Sequence, residues 1–212
     1  MPIRILQNTI ILFQGDSITD GGRNREDDES LGTGYAMMAS AWFLATNPQK
    51  KVRFINRGIS GNRVRDLKNR WQRDCLDLKP DIVSIMIGIN DMWRRYDCND
   101  PTSIESFEAD YRQILQQTKN VLHAQMILLE PFLLPVAQEQ NKWREDLNPK
   151  IEVVRKLSRE FKATIIPLDN IFLEAAQKRE PIFWSQDGVH PTLAGHALIA
   201  QSWLKAVKAA YL

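Results

Sequence analysis

No stretch of this chain is long and apolar enough to span a bilayer. The most hydrophobic short run, Thr9-Ile10-Ile11-Leu12-Phe13, is too brief and leads straight into Gly15-Asp16-Ser17. It also lacks a basic leader and a small-residue cleavage site, so no signal peptide and a cytoplasmic location are expected. Cysteine is scarce. Cys75 and Cys98 show no CxxC or Cys/His spacing, which suits two free thiols in a reducing compartment better than a disulfide. An excess of one charge is missing too, with 28 Lys and Arg against 26 Asp and Glu, a net charge of +2. That balance argues against nucleic acid or an anionic membrane surface as partner. Histidines number only three and carboxylates do not join them at ligand spacing, so neither a metal nor a cofactor is expected.

The chain contains enough apolar sequence for one substantial core. Its 212 residues are 43% hydrophobic and 25% charged, and without repeat, linker or low-complexity tract they predict a single domain over 1–212. Short β-branched runs alternate with amphipathic stretches. Strands are predicted at Ile10 to Phe13, Val52 to Ile55, Ile82 to Ile87, Met126 to Leu129 and Thr164 to Ile166. Each is continuously apolar, as in a parallel sheet covered on both faces. One helical stripe runs through Val64, Leu67, Trp71, Cys75 and Leu78. A second runs through Ile104, Phe107, Tyr111, Ile114, Thr118 and Val121, opened by a capping box of Thr102 and Glu105. A third follows Pro191 with Ala197, Ala200, Leu204, Val207 and Tyr211. Met37, Met38, Trp42 and Phe43 read as core packing on the first long helix. The alternation predicts a three-layer α/β/α sandwich with about five parallel strands. The least regular stretch, Glu130 to Pro149, reads as a loop or short helix flanking the ligand edge.

Four short motifs carry the chemistry. Asp187-Gly188-Val189-His190 sets a carboxylate three residues before an imidazole, close enough to fix its tautomer and orientation. Gly15-Asp16-Ser17 follows the first strand and offers a hydroxyl that the imidazole can deprotonate. Gly58-Ile59-Ser60-Gly61-Asn62 and Gly88-Ile89-Asn90-Asp91 follow the second and third strands. Parallel strands bind ligands beyond their carboxyl ends, so Ser17, Gly61 and Asn90 fall on one edge. The expected oxyanion donors are the Ser17 N–H, the Gly61 N–H and the Asn90 amide. His123 and His196 suit surface or capping roles.

These blocks resemble those of the SGNH hydrolases, the GDSL-type esterase and lipase superfamily. The resemblance implies a flavodoxin-like sandwich with Ser17 as nucleophile, His190 as base and Asp187 as its orienting carboxylate. The extended strings Gly15 to Arg23, Gly32-Thr33-Gly34-Tyr35 and Gly88 to Arg94 are similar to intracellular bacterial acetyl-xylooligosaccharide esterases. That similarity implies an acetylated sugar as substrate and a cyclic or dihedral homo-oligomer; Asp16, Trp93, three residues after Asn90, and Trp184, three before Asp187, are the candidate substrate-facing residues. Trp93 and Trp184 either stack on a pyranose or pack in a core or interface; Arg57, Arg63, Arg94 and Arg95 are either solvated or orient a hydroxyl. Trp143, Trp184 and Trp203 are candidate subunit contacts. A broad carboxylesterase or lysophospholipase is the alternative, with Pro131-Phe132-Leu133-Leu134-Pro135 lining an acyl groove. A catalytically silent binding module is the reading from a different class.

Overall fold

The computed structural model describes residues 3–209, so Tyr211 lies outside the described residues. In chain order come β1 (Ile10–Gly15), α1 (Ser17–Asp20), α2 (Tyr35–Thr46), β2 (Arg53–Asn56), α3 (Val64–Asp74), β3 (Ile82–Met86), α4 (Ile89–Asp97) and α5 (Ile104–Gln117). Then follow β4 (Gln125–Leu129), α6 (Arg144–Phe161), β5 (Thr164–Ile166), α7 (Leu168–Ala176), α8 (Pro181–Trp184) and α9 (Leu193–Ala206). The strands form one parallel sheet in the order β2-β1-β3-β4-β5. This is the flavodoxin-like order, with its switch point between β1 and β3. The expected three-layer sandwich is borne out.

Side chains of a strand alternate between faces, so each continuous apolar run feeds two cores. Ile11 and Phe13 of β1 pack with Tyr35 and Phe43 of α2, Phe172 of α7 and Trp203 of α9. Leu12 between them faces Leu67 and Trp71 of α3, Tyr111 of α5, and Val154 and Leu157 of α6.

Several local expectations need correcting. The α5 cap is Ser103, whose hydroxyl accepts from the Ser106 N–H at 3.2 Å, not Thr102 with Glu105. Thr102 is buried and lies within reach of Arg63 instead. The predicted stripe on α5 holds as far as Thr118. There the chain enters a π turn, Thr118–Leu122, whose wider step rotates Val121 out to solvent. On α2 only Phe43 of the four named residues is fully buried, and Trp42 is exposed.

Glu130 to Pro149 is more ordered than its prolines suggest. A 3-10 stretch, Gln138–Trp143, passes directly into α6, and Pro149 lies inside that helix on its exposed side. Burial of Leu147, Ile151, Val154 and Leu157 outweighs the missing N–H. Phe132, Leu133 and Leu134 are core residues, with Phe132 stacked on Phe172 at 3.8 Å, so they line no acyl groove.

Trp203 is the clearest reversal. It is fully buried between α9 and the sheet, and its indole N–H donates to Ser84 Oγ at 3.1 Å. It therefore cannot be a subunit contact. Trp203→Ala should cost about 3–5 kcal/mol in urea unfolding through cavity formation. The mass by light scattering should not change at protein concentrations where the variant is folded.

Candidate active site

The first strand reaches the site through a turn only glycine can make. A Cβ on Gly15 would sit 2.3 Å from the Met86 carbonyl oxygen and 2.3 Å from Thr19 Oγ1. Asp16 then caps α1, accepting from the Ile18 N–H at 3.0 Å, and Ser17 is the first helical residue. The Ser17 N–H is therefore one of the donors a helix leaves free at its start. Because α1 is a single turn, that free N–H rather than a macrodipole is what Ser17 contributes.

The Ser17 Oγ lies 2.9 Å from His190 Nε2, and His190 Nδ1 lies 2.6 Å from Asp187 Oδ2. Asp187 Oδ1 accepts from the backbone N–H groups of Val189, at 2.9 Å, and His190, at 2.7 Å. The carboxylate thus shapes the loop and holds the imidazole with Nδ1 protonated, leaving Nε2 as the hydrogen-bond acceptor for the Ser17 hydroxyl.

The loop is pinned from outside as well. Gln140 Nε2 donates to the Asp187 carbonyl at 2.7 Å, and the Leu134 N–H to that of Gly188 at 2.9 Å. Ser185 Oγ donates to the His190 carbonyl at 2.9 Å. Gly188 has φ +85°, and a Cβ there would stand 2.7 Å from the Leu134 carbonyl oxygen. Gln140 and Ser185 are supports that sequence reasoning missed, since nothing in their spacing marks them.

The second and third blocks are tied to the first and to each other. The Ile59 N–H donates to the Gly15 carbonyl, and the Ser60 N–H to Asp20 Oδ2, both at 3.1 Å. Gly58 serves packing: a Cβ there would meet the Asp20 nitrogen at 2.3 Å. Gly61 has φ +81°, and its N–H has no acceptor among the described residues. Asn90 is nearly buried and donates one amide hydrogen to the Asn62 carbonyl at 3.0 Å, leaving the other free. Asp91 Oδ2 accepts from the Val64 N–H at 3.0 Å, so consecutive residues of α4 hold both flanks of Arg63.

Not every expected site residue reaches the cleft. Asp16 is 1% exposed with its carboxylate turned to the Ile18 N–H, so it cannot touch a substrate. Trp184 donates its indole N–H to the Arg179 carbonyl at 3.2 Å and packs on Phe183 and the core. Phe183, Ile182 and Gln186, not Trp184, line the open cleft of about 820 Å³ beside Asp187 and His190. Trp93 does reach the site, its ring centroid 5.6 Å from that of His190. The four arginines are all in ion pairs: Arg57 with Asp28, Arg63 with Asp100, Arg94 with Asp97, and Arg95 with Glu145. His196 caps α2 from another helix, its Nδ1 accepting from the Tyr35 N–H at 3.1 Å.

Environment separates the titrations. Burial opposes ionisation of Asp187, but the hydrogen bonds from the His190 ring and two backbone N–H groups prevail and hold it at about 2. The hydrogen bond to Asp187 raises His190 above the ordinary imidazole value, against the pull of burial. Burial pushes Asp16 and Asp91 up to about 7 and lowers His196 to about 4, keeping the latter neutral as a capping acceptor. Among the described residues no group of histidine, cysteine and carboxylate side chains is arranged to hold a metal ion.

The GDSL-like lipase/acylhydrolase family model matches residues 13–198. The chain is 38% identical over 205 residues to the acetylxylan esterase of Geobacillus stearothermophilus, covering 93% of each. The crystal structure of that esterase superimposes with a TM-score of 0.90 at 37% identity, covering 97% of this chain and 96% of the other. A structure described as a GDSL-like lipase from Parabacteroides merdae gives 0.95 at 38% identity, covering 99% and 100%.

A neutral imidazole is needed to accept the serine proton, so kcat/KM should rise with pH, with its midpoint above 6.5, the ordinary imidazole value. Asp187→Asn removes the charge that raises His190 and should move this limb to lower pH. It should also cut kcat/KM by about four orders of magnitude by favouring the wrong tautomer. A limb unmoved in the variant would remove His190 from the role of base.

Proposed function

The chain belongs to the GDSL-like lipase/acylhydrolase family, and from that premise we propose that it is a serine esterase removing O-acetyl groups from small carbohydrates such as acetylated xylo-oligosaccharides. The observation that carries the reading is the continuous relay from Ser17 through His190 to Asp187, at 2.9 and 2.6 Å. It sits in a chain similar to an acetylxylan esterase over nearly its whole length.

In the proposed reaction Ser17 Oγ attacks the acetyl carbonyl carbon as its proton passes to His190 Nε2. The carbonyl electron pair moves onto oxygen, where the Ser17 N–H, the Gly61 N–H and the free Asn90 amide hydrogen are the donors. Collapse breaks the bond to the sugar oxygen, which leaves with the proton from His190. A water molecule then gives a proton to His190 and attacks the acetyl-serine. Its collapse returns the proton to Ser17 Oγ and releases acetate. Trp93, beside the imidazole that protonates the leaving oxygen, is the residue assigned to the sugar.

The acyl group is short in this reading because the segment that would hold a long one, Phe132 to Leu134, is spent in the core. No helix among the described residues is long and apolar enough to cross a membrane. Free Cys75 and Cys98 support a reducing, cytoplasmic setting. Self-association is supported by Ile182 and Leu193, which stand 57% and 76% exposed at the rim of the cleft.

Ser17→Ala should lower kcat/KM by about six orders of magnitude, leaving the urea midpoint within experimental scatter. Across p-nitrophenyl esters of rising chain length, acetyl should be the fastest; faster octanoyl hydrolysis would return the broad lipase reading. Light scattering at micromolar concentration should give a multiple of 24.5 kDa, and a mass near that of one chain would end the oligomer proposal.

A further inference from the structure

We propose that Trp143 seats the sugar residue next to the acetylated one, so that the enzyme reads an oligosaccharide rather than a single acetylated sugar. The inference rests on the sugar-esterase reading above.

Three aromatic rings adjoin one another in series, beginning beside the catalytic imidazole. Trp93 stands 5.6 Å from His190, Trp143 stands 6.0 Å from Trp93 at a tilt of 37°, and Tyr96 stacks on Trp143 at 5.4 Å. Each step is comparable to the length of one pyranose residue. His190 must deliver its proton to the leaving sugar oxygen, so the acetylated sugar lies within reach of that imidazole and of Trp93. A chain continuing from that sugar in the direction of the rings meets Trp143 next.

The indole N–H groups set Trp93 and Trp143 apart from the three tryptophans whose N–H is already bonded. Trp71 and Trp203 are buried and donate to Thr118 and Ser84, and Trp184 donates to a backbone carbonyl. Trp93 and Trp143 are half-buried, and their N–H groups, unlike those three, have no acceptor among the described residues. Each therefore combines a part-exposed apolar ring with a free donor for a hydroxyl. This pairing of apolar body and polar handle is what makes tryptophan useful in recognition.

Trp143 is also held in place before any ligand arrives. The Tyr96 hydroxyl donates to the Lys142 carbonyl at 3.1 Å, and Arg95 pairs with Glu145 at 2.9 Å. These contacts clamp the 3-10 stretch Gln138–Trp143 onto α4 from both sides of the indole. A ring already immobilised loses little entropy on binding.

The test compares Trp143→Ala and Trp143→Phe with the unaltered enzyme on acetylated xylotriose, acetylated methyl xyloside and p-nitrophenyl acetate. The unaltered enzyme should favour the trisaccharide over the monosaccharide by about ten-fold in kcat/KM, the scale of one aromatic contact. Trp143→Ala should erase that preference, bringing the ratio of kcat/KM on the trisaccharide to that on the monosaccharide from about ten to about one. Trp143→Phe, which keeps a ring, should recover most of it. Equal turnover of both sugars by the unaltered enzyme would overturn the platform and leave the esterase reading standing. Turnover of p-nitrophenyl acetate with neither sugar touched would overturn that reading and this inference with it. A uniform loss on all three substrates, with a drop in mass by light scattering, would reassign Trp143 to a subunit contact and overturn the inference.

Discussion

The site depends first on a missing side chain. With no Cβ at Gly15, β1 lies against the Met86 carbonyl of β3 and turns at once into α1, where Thr19 closes over the glycine. Any side chain would drive α1 off the sheet and take Ser17 with it. The register carries this constraint sideways. Phe13 pairs with Asn56 and Gly15 with Met86, so β2 and β3 deliver their loops beside the same turn. Asn56 then uses its side chain on both sides, donating to the Thr19 carbonyl at 2.7 Å and accepting from the Gly58 N–H at 2.8 Å. The Ser17 turn and the Gly61 loop are thereby one hydrogen-bonded unit, and neither can shift without the other.

Electrostatics at this edge follow from which carboxyls are buried. Asp16 and Asp91 flank the proposed nucleophile and oxyanion donor in sequence, yet both are enclosed, and burial pushes each up to about 7. Asp187 lies half in solvent with several donors aimed at it and is held at about 2. The carboxylate that stays fully charged across neutral pH is thus the one bonded to His190. Separating similar groups by environment in this way is how a fold assigns them different work. Asp16 and Asp91 act through the backbone, accepting from the Ile18 and Val64 N–H groups and so fixing where Ser17 and Gly61 stand.

Most of this was legible in the sequence wherever a local rule decides the outcome. Continuous β-branched runs gave the strands because a parallel sheet is apolar on both faces. The i, i+3 spacing of Asp187 and His190 marked their contact, because a short loop leaves those side chains few ways to point. What was not legible depends on distant neighbours. Asp16, expected to face the substrate, turns inward instead because it caps α1. Trp203, expected as a subunit contact, is buried because its indole needs only one acceptor, and Ser84 supplies it from β3. Pro149 hid the start of α6, since the core that overrides it is assembled from other elements.

The stretch from Glu130 to Trp143 shows why such segments resist reading and why they matter. It has neither helical nor strand period, and its order comes from contacts made at either end. Glu130 is buried against Arg155, Phe132 to Leu134 fill the core, and Arg144 pairs with Asp169. Between these anchors Gln140 accepts from the Val136 N–H at 2.8 Å while its amide holds the Asp187 carbonyl at 2.7 Å. Three residues later Trp143 meets Trp93. One segment therefore fixes the loop that carries His190 and the ring proposed to receive the substrate. The two are coupled through a rigid piece of chain rather than through the sheet. A change that loosens its anchors would misplace the imidazole and the sugar platform together, although neither Ser17 nor its strand had moved.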